Sequence, residues 1–202
     1  MSVDGVDTTN FDKFQTGNPV VRRMFGGFFR TVGETVEPLG ATSVLDAGCG
    51  EGETLERLAA ILPEHPVGVD LNPESVAYAE RRLPEASISV GNLLDLSFAD
   101  DEFELVLCLE VLEHLPDPAA GLAELLRVSG RDVVISVPHE PWFRLGSFAR
   151  GKYLSTWGNH PEHVNHWNPR TFRRFLEGQA EVVEIRTSTP WIIAHCRPRR
   201  TG

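Results

Sequence analysis

Long apolar runs are missing from this 202-residue chain: none approaches the roughly 20 residues that cross a bilayer, and the acidic, polar start does not read as a secretion signal. We therefore expect a soluble, cytoplasmic protein without stable membrane insertion. Cysteine is scarce. Cys49, Cys108 and Cys196 make an odd number without metal-ligand spacing, which argues against a disulfide scaffold and reads as reduced, small filler residues. Basic charge is also short, with 19 Lys and Arg against 29 Asp and Glu and a formal net charge of −10. That balance disfavours general binding of nucleic acid, which needs a basic surface to neutralise phosphates. The one basic cluster at the end, Arg197-Pro198-Arg199-Arg200, reads as a solvated tail. Internal repeats and low-complexity segments are absent too, and the remaining composition suits one domain with a full core over residues 1–202.

What is present is concentrated in residues 44–52, Val-Leu-Asp-Ala-Gly-Cys-Gly-Glu-Gly, where an apolar strand runs into Asp46 and then Gly48, Gly50 and Gly52 at alternate positions. Glycines that stop a strand and hand over to a helix let backbone N–H groups and the helix N-terminus approach a ligand. This spacing is neither the G-x-G-x-x-G of dinucleotide-binding folds nor a P-loop, which ends in Lys-Ser/Thr. A second strand, Val67 to Asp70, ends in a carboxylate suited to ribose hydroxyls, and Asn72-Pro73 caps the next helix. A third strand reaches Gly91 and runs into Asn92, Leu93, Leu94 and Asp95; a fourth, Phe103 to Leu109, runs into Glu110-Val111-Leu112-Glu113-His114. Strands near 43–47, 66–70, 87–91, 103–109 and 132–137 alternate with helices near 52–62, 74–83 and 118–128, which implies an α/β fold with a parallel sheet covered on both faces. Before them, Val20 to Val36 has helical spacing and is expected, within a segment over 1–40, to cover the ligand. After them, Ala180 to Arg186 and Trp191 to Arg197 form a hairpin.

In this order the motifs at Asp46 to Gly52, Gly68 to Asp70, Gly91 to Asp95 and Cys108 to Pro118 resemble the class I S-adenosylmethionine-dependent methyltransferases of the D-x-G-x-G-x-G subgroup. The resemblance implies a Rossmann-like, mostly parallel seven-stranded sheet in the order 3-2-1-4-5-7-6, with S-adenosylmethionine as cofactor. It implies that Gly48, Cys49 and Gly50 pass against the methionine part, that Asp46 orders the turn and faces the amino group, and that Asp70 takes both ribose hydroxyls. Asn92 stands where many relatives carry an acid toward the adenine amino group. Leu93 would offer its N–H, Leu71 and Leu94 apolar walls that could equally be plain core, and Leu109 and Glu110 would lie under the methionine portion.

Transfer of a methyl group from a sulfonium needs positioning before it needs a base. Three imidazoles are candidates for the base. His114 follows the fourth strand, and His163 and His166 lie in the segment over 138–168, which is dense in Trp, His and Arg and is expected to form a substrate lid. His160, His163 and His166 recur at every third residue, but Pro161 and Pro169 argue against one helix presenting them to a metal, so none is expected there. An aromatic, glycosyl or anionic small-molecule acceptor suits such a lid, with oxygen favoured because no Asn-Pro-Pro-Tyr or Asp-Pro-Pro-Tyr follows the fourth strand. The alternatives are a non-catalytic protein of the same fold that binds the cofactor or a partner, and a nicotinamide-dependent oxidoreductase. The residues leave oligomeric state open.

Overall fold

The computed structural model describes residues 18–139 and 165–200. Strands β1 (Val44–Ala47), β2 (Val67–Asp70), β3 (Ser87–Val90), β4 (Phe103–Leu109), β5 (Ser129–Pro138), β6 (Ala180–Ser188) and β7 (Trp191–Pro198) form one sheet in the order β3-β2-β1-β4-β5-β7-β6. β1 to β5 pair in parallel, and β7 enters antiparallel between β5 and β6. The helices are α1 (Pro19–Val36), α2 (Glu53–Leu58), α3 (Pro73–Arg82), α4 (Pro118–Val128) and α5 (Pro169–Glu177). No described helix is long and apolar enough to cross a membrane.

Four of these helices start the same way. Asn18-Pro19, Asn72-Pro73, Asp117-Pro118 and Asn168-Pro169 each place an accepting side chain at the cap and a proline in the first turn, where its missing N–H costs nothing. α2 differs: its cap is Gly52 in the left-handed region, so the chain enters this helix directly from the glycine turn. It is shorter than the periodicity suggests, because Ile61 and Leu62 both donate to the Leu58 carbonyl and wind the chain into turns.

Alternation along β4 explains the two-sided core. Leu105, Leu107 and Leu109 join Val44, Val134 and Ile193 on one face, where α1 lays Phe28, Phe29, Val32 and Val36. Val106 and Cys108 join Leu45, Ala47, Val133 and Ile135 on the other, under Leu122 and Leu125 of α4 and Phe172 and Leu176 of α5. α1 thus packs on the first of these faces of the sheet. Its apolar stripe is what places it there, and Phe25 and Phe28 meet Trp191 at the carboxyl edge. The preceding residues, and nearly all of the segment expected to form a lid, lie outside the described residues.

At the opposite end of β5 and β7, Asp132 is 1% exposed and carries three partners. Its Oδ1 meets His195 Nε2 at 2.8 Å and accepts from Arg197 Nε at 3.0 Å, while Oδ2 accepts from Arg131 Nε at 2.8 Å. Burial raises the Asp132 carboxyl, but these partners outweigh it and hold the group below its ordinary value of 3.8. Its stabilising contribution is therefore present above that value and lost as pH falls through the lower, folded-state value. We expect Asp132→Ala to cost about 3 kcal/mol in urea unfolding at neutral pH, because three donors lose a buried acceptor. The gap between variant and parent should close in acid below the ordinary carboxylate value of 3.8.

Candidate functional site

Past Ala47 the chain turns through Gly48, Gly50 and Gly52 at φ +89°, +51° and +81°. Two of them also need the missing side chain for space, since a Cβ at Gly48 would lie 2.4 Å from Val111 Cγ2 and one at Gly52 2.6 Å from Leu83 Cδ1. At Gly50 nothing lies within 4 Å of that position, so this residue faces open space. The turn hangs on the end of β2. Gly48 and Cys49 both donate to the Val69 carbonyl at 2.8 and 3.0 Å, and Gly50 donates to Asp70 Oδ2 at 2.9 Å. Gly52 N–H is taken by the Cys49 carbonyl, and the Glu51 N–H bonds its own carboxylate. The N–H groups of the turn are thus directed into the protein and not toward a ligand, which corrects the expectation of a donor-lined cradle. With six residues, α2 adds no long helix terminus to change this.

Carboxylates supply what the N–H groups do not. Asp46 is 1% exposed and its Oδ2 finds no hydrogen-bond partner. Burial first, and the charge of Asp70 second, push its carboxyl up to about 7. Glu51 is also raised, chiefly by burial, with its Oε1 3.5 Å from Ser75 Oγ. Asp70 accepts Gly50 N–H on Oδ2 and Asn72 N–H on Oδ1, both at 2.9 Å, leaving each oxygen a further lone pair. An orphaned buried carboxylate oxygen beside a second acid fits a ligand that brings positive charge and hydroxyl donors.

Residues 45–135, which carry the turn, β2 and the end of β4, match a family model described as a methyltransferase domain. Over those residues the chain is similar to that domain, and its seven-stranded sheet has the Rossmann-like fold of the class I methyltransferases. S-adenosylmethionine is the cofactor of this domain. Among its relatives, the chloroplastic tocopherol O-methyltransferase of Arabidopsis thaliana is 31% identical over 143 residues, 60% of this chain and 41% of that one. The ajmaline N-methyltransferase of Rauvolfia serpentina is 34% identical over 101 residues, covering 46% and 35%. The methyltransferase domain also shares its fold with magnesium protoporphyrin IX methyltransferase from Synechocystis PCC 6803, solved with bound SAH, at TM-score 0.68 and 20% identity over 94% of this chain and 95% of that one. This chain spans less than half the length of the curated relatives it matches.

The other expected residues of the methyltransferase domain stand in unlike surroundings. Leu71 is 70% exposed beside Asp70, a large apolar side chain standing at the open edge, whereas Leu93 is buried in the main core and Leu94 is half-buried. Asn92 Oδ1 already accepts the Leu94 N–H at 3.0 Å, so any bond from an adenine amino group would take its second lone pair. The Cys49 and Leu109 side chains are core, the thiol of Cys49 pushed well up by burial, so a ligand would meet only their backbone. His114 closes the 3-10 turn Leu112–His114, with Nε2 3.9 Å from Glu113 Oε1. His166 is exposed just before Trp167, and His163 lies outside the described residues. Sequence reasoning passed over Glu51, though it sits inside the glycine run, and over Val111, Ser136 and Trp191, whose places depend on contacts distant in the chain.

Two glycine variants separate shape from recognition. Gly50→Ala should cost about 1 kcal/mol in urea unfolding, the strain of a left-handed alanine, and should weaken S-adenosylhomocysteine in calorimetry because its methyl enters the open space. Gly48→Ala should lose clearly more stability than Gly50→Ala, since its Cβ also runs into Val111.

Proposed function

We propose that this protein transfers a methyl group from S-adenosylmethionine to an oxygen nucleophile of a small-molecule acceptor. The observation that carries this reading is the polarity of the turn: its N–H groups are consumed by β2 and by the turn itself, and Asp46, Glu51 and Asp70 surround it. A ring of acids attracts an ammonium and a sulfonium and repels a pyrophosphate, which argues against a nicotinamide dinucleotide in the same place. Bound S-adenosylmethionine supplies an electrophilic methyl group and leaves as a neutral thioether. The chain's own residues hold and exclude. Asp70 grips the ribose hydroxyls with the lone pairs left by Gly50 and Asn72, Leu71 folds over the adenine, and Asp46 faces the ammonium. Of the imidazoles, His163 and His166 are assigned to draw the proton from the acceptor oxygen, with His114 the third candidate.

Oxygen is favoured over nitrogen because Glu110-Val111-Leu112-Glu113 stands where amino-group methylases of bases and glutamine carry a Pro-Pro-Tyr element. The relatives contain both an O-methyltransferase and an N-methyltransferase, and the first agrees with this choice.

Calorimetry with S-adenosylhomocysteine should give micromolar binding that Asp70→Ala abolishes, and no binding to folded protein would defeat the reading. Transfer of labelled methyl should then be found with phenols or carboxylates and not with amines, and it should be lost in His163→Ala or His166→Ala with S-adenosylhomocysteine affinity unchanged.

Asp46 gives a pH test. Its carboxyl is protonated below about 7 in the free protein, and a cationic ligand favours the ionised form, so binding below that pH should release a proton. Titrations of S-adenosylmethionine at about pH 6, in buffers of different ionisation enthalpy, should show this release in the parent. Asp46→Asn should show none.

A further inference from the structure

We infer that Trp191 is a positioning residue for the cofactor turn, acting through Glu110 and Val111; the inference rests on the methyltransferase reading above. Glu110 ends β4 at φ +62°, a left-handed conformation that a residue with a side chain keeps only when its surroundings hold it. Bonds from β5 and β7 hold it. Its N–H donates to the Ser136 carbonyl at 3.1 Å, Ser136 Oγ donates to its Oε1 at 2.7 Å, and Trp191 Nε1 donates to its Oε2 at 2.8 Å. Both carboxylate oxygens are therefore fixed from two neighbouring strands, β5 and β7.

The consequence of that turn is the placement of the next residue. Val111 lies so close over Gly48 that a Cβ there would sit 2.4 Å from its Cγ2. Gly48 is the first glycine of the turn and the one whose N–H reaches across to Val69. Trp191 is itself immobilised, 4% exposed, with its ring centroid 5.0 Å from Phe25 and 4.9 Å from Phe28 of α1. A continuous set of contacts thus runs from α1 through the indole to the Glu110 carboxylate, and through Val111 to the glycine turn. Trp191 touches no reacting atom in this account; it fixes the carboxylate that fixes the turn.

The test compares variants on S-adenosylhomocysteine affinity and on stability together. Trp191→Phe keeps a ring between Phe25 and Phe28 and removes only the N–H. It should weaken S-adenosylhomocysteine by about tenfold, equivalent to about 1.4 kcal/mol. Ile193→Val, a core truncation on the same strand and face, should lower stability without moving the dissociation constant. Ser136→Ala removes the other side-chain donor to Glu110, should weaken binding in the same direction, and stands in if Trp191→Phe does not fold. Unchanged affinity in the Trp191 and Ser136 variants would overturn the inference, as would an equal loss in Ile193→Val. Failure of the parent protein to bind S-adenosylhomocysteine overturns the methyltransferase reading itself, and the inference with it.

Discussion

The end of β2 organises the candidate site. One carbonyl, Val69 O, accepts two successive N–H groups, and one carboxylate, Asp70, accepts the third, so Gly48, Cys49 and Gly50 are laced to the neighbouring strand before any ligand arrives. The backbone reaches these partners only in left-handed conformations, which is why glycine stands at 48 and 50. The pairing of Leu45, Asp46 and Ala47 with Val67, Gly68 and Val69 brings the two strand ends level. Gly68 takes part in a second way: a Cβ there would lie 2.7 Å from Ile88 and 3.0 Å from the Cys49 sulfur, so its bareness lets the turn seat against the sheet.

Consuming those N–H groups decides the chemistry that the turn can offer. A glycine loop whose donors converge outward is an anion site. Here the donors are taken within the protein, and the acids Asp46, Glu51 and Asp70 stand about the turn. The same glycine richness that signals phosphate binding elsewhere therefore signals the opposite charge in this chain, and the difference lies in hydrogen-bond direction and not in composition.

Much of this was legible in the sequence because it is local. Asx-Pro pairs mark helix starts wherever they occur, and the apolar stretch Phe103 to Leu109 reads as a strand buried on both faces. The sheet order came from family resemblance, since strand count alone does not fix it. What was not legible is what depends on distance along the chain. Glu110 and Trp191 are 81 residues apart, and nothing in either neighbourhood announces their bond. The direction of the N–H groups at 48–50 is likewise a property of strand pairing, and the amphipathic pattern of α1 shows that it has a buried face without saying which surface it covers. Asn92 is an intermediate case: its type suggested an acceptor for adenine, but asparagine two residues before a backbone N–H also closes a local turn, and that bond forms first.

The acids of the site also bear on turnover. Burial chiefly, and the neighbouring Asp70 second, push the Asp46 carboxyl up to about 7. A ligand carrying positive charge favours the ionised form of Asp46, so on the methyltransferase reading the site gains negative charge when the cofactor enters below that pH. On the methyltransferase reading, the reaction then deletes the sulfonium charge while the acids remain. The attraction that helped to hold the reactant is diminished for the thioether product, so the electrostatics that favour loading also favour release. Positioning has to come from elsewhere, and the rigid contacts through Val111 and Gly48 are neutral, unaffected by that change of charge. Shape and charge are thus assigned to different residues, which lets the turn stay fixed while its affinity changes through the catalytic cycle.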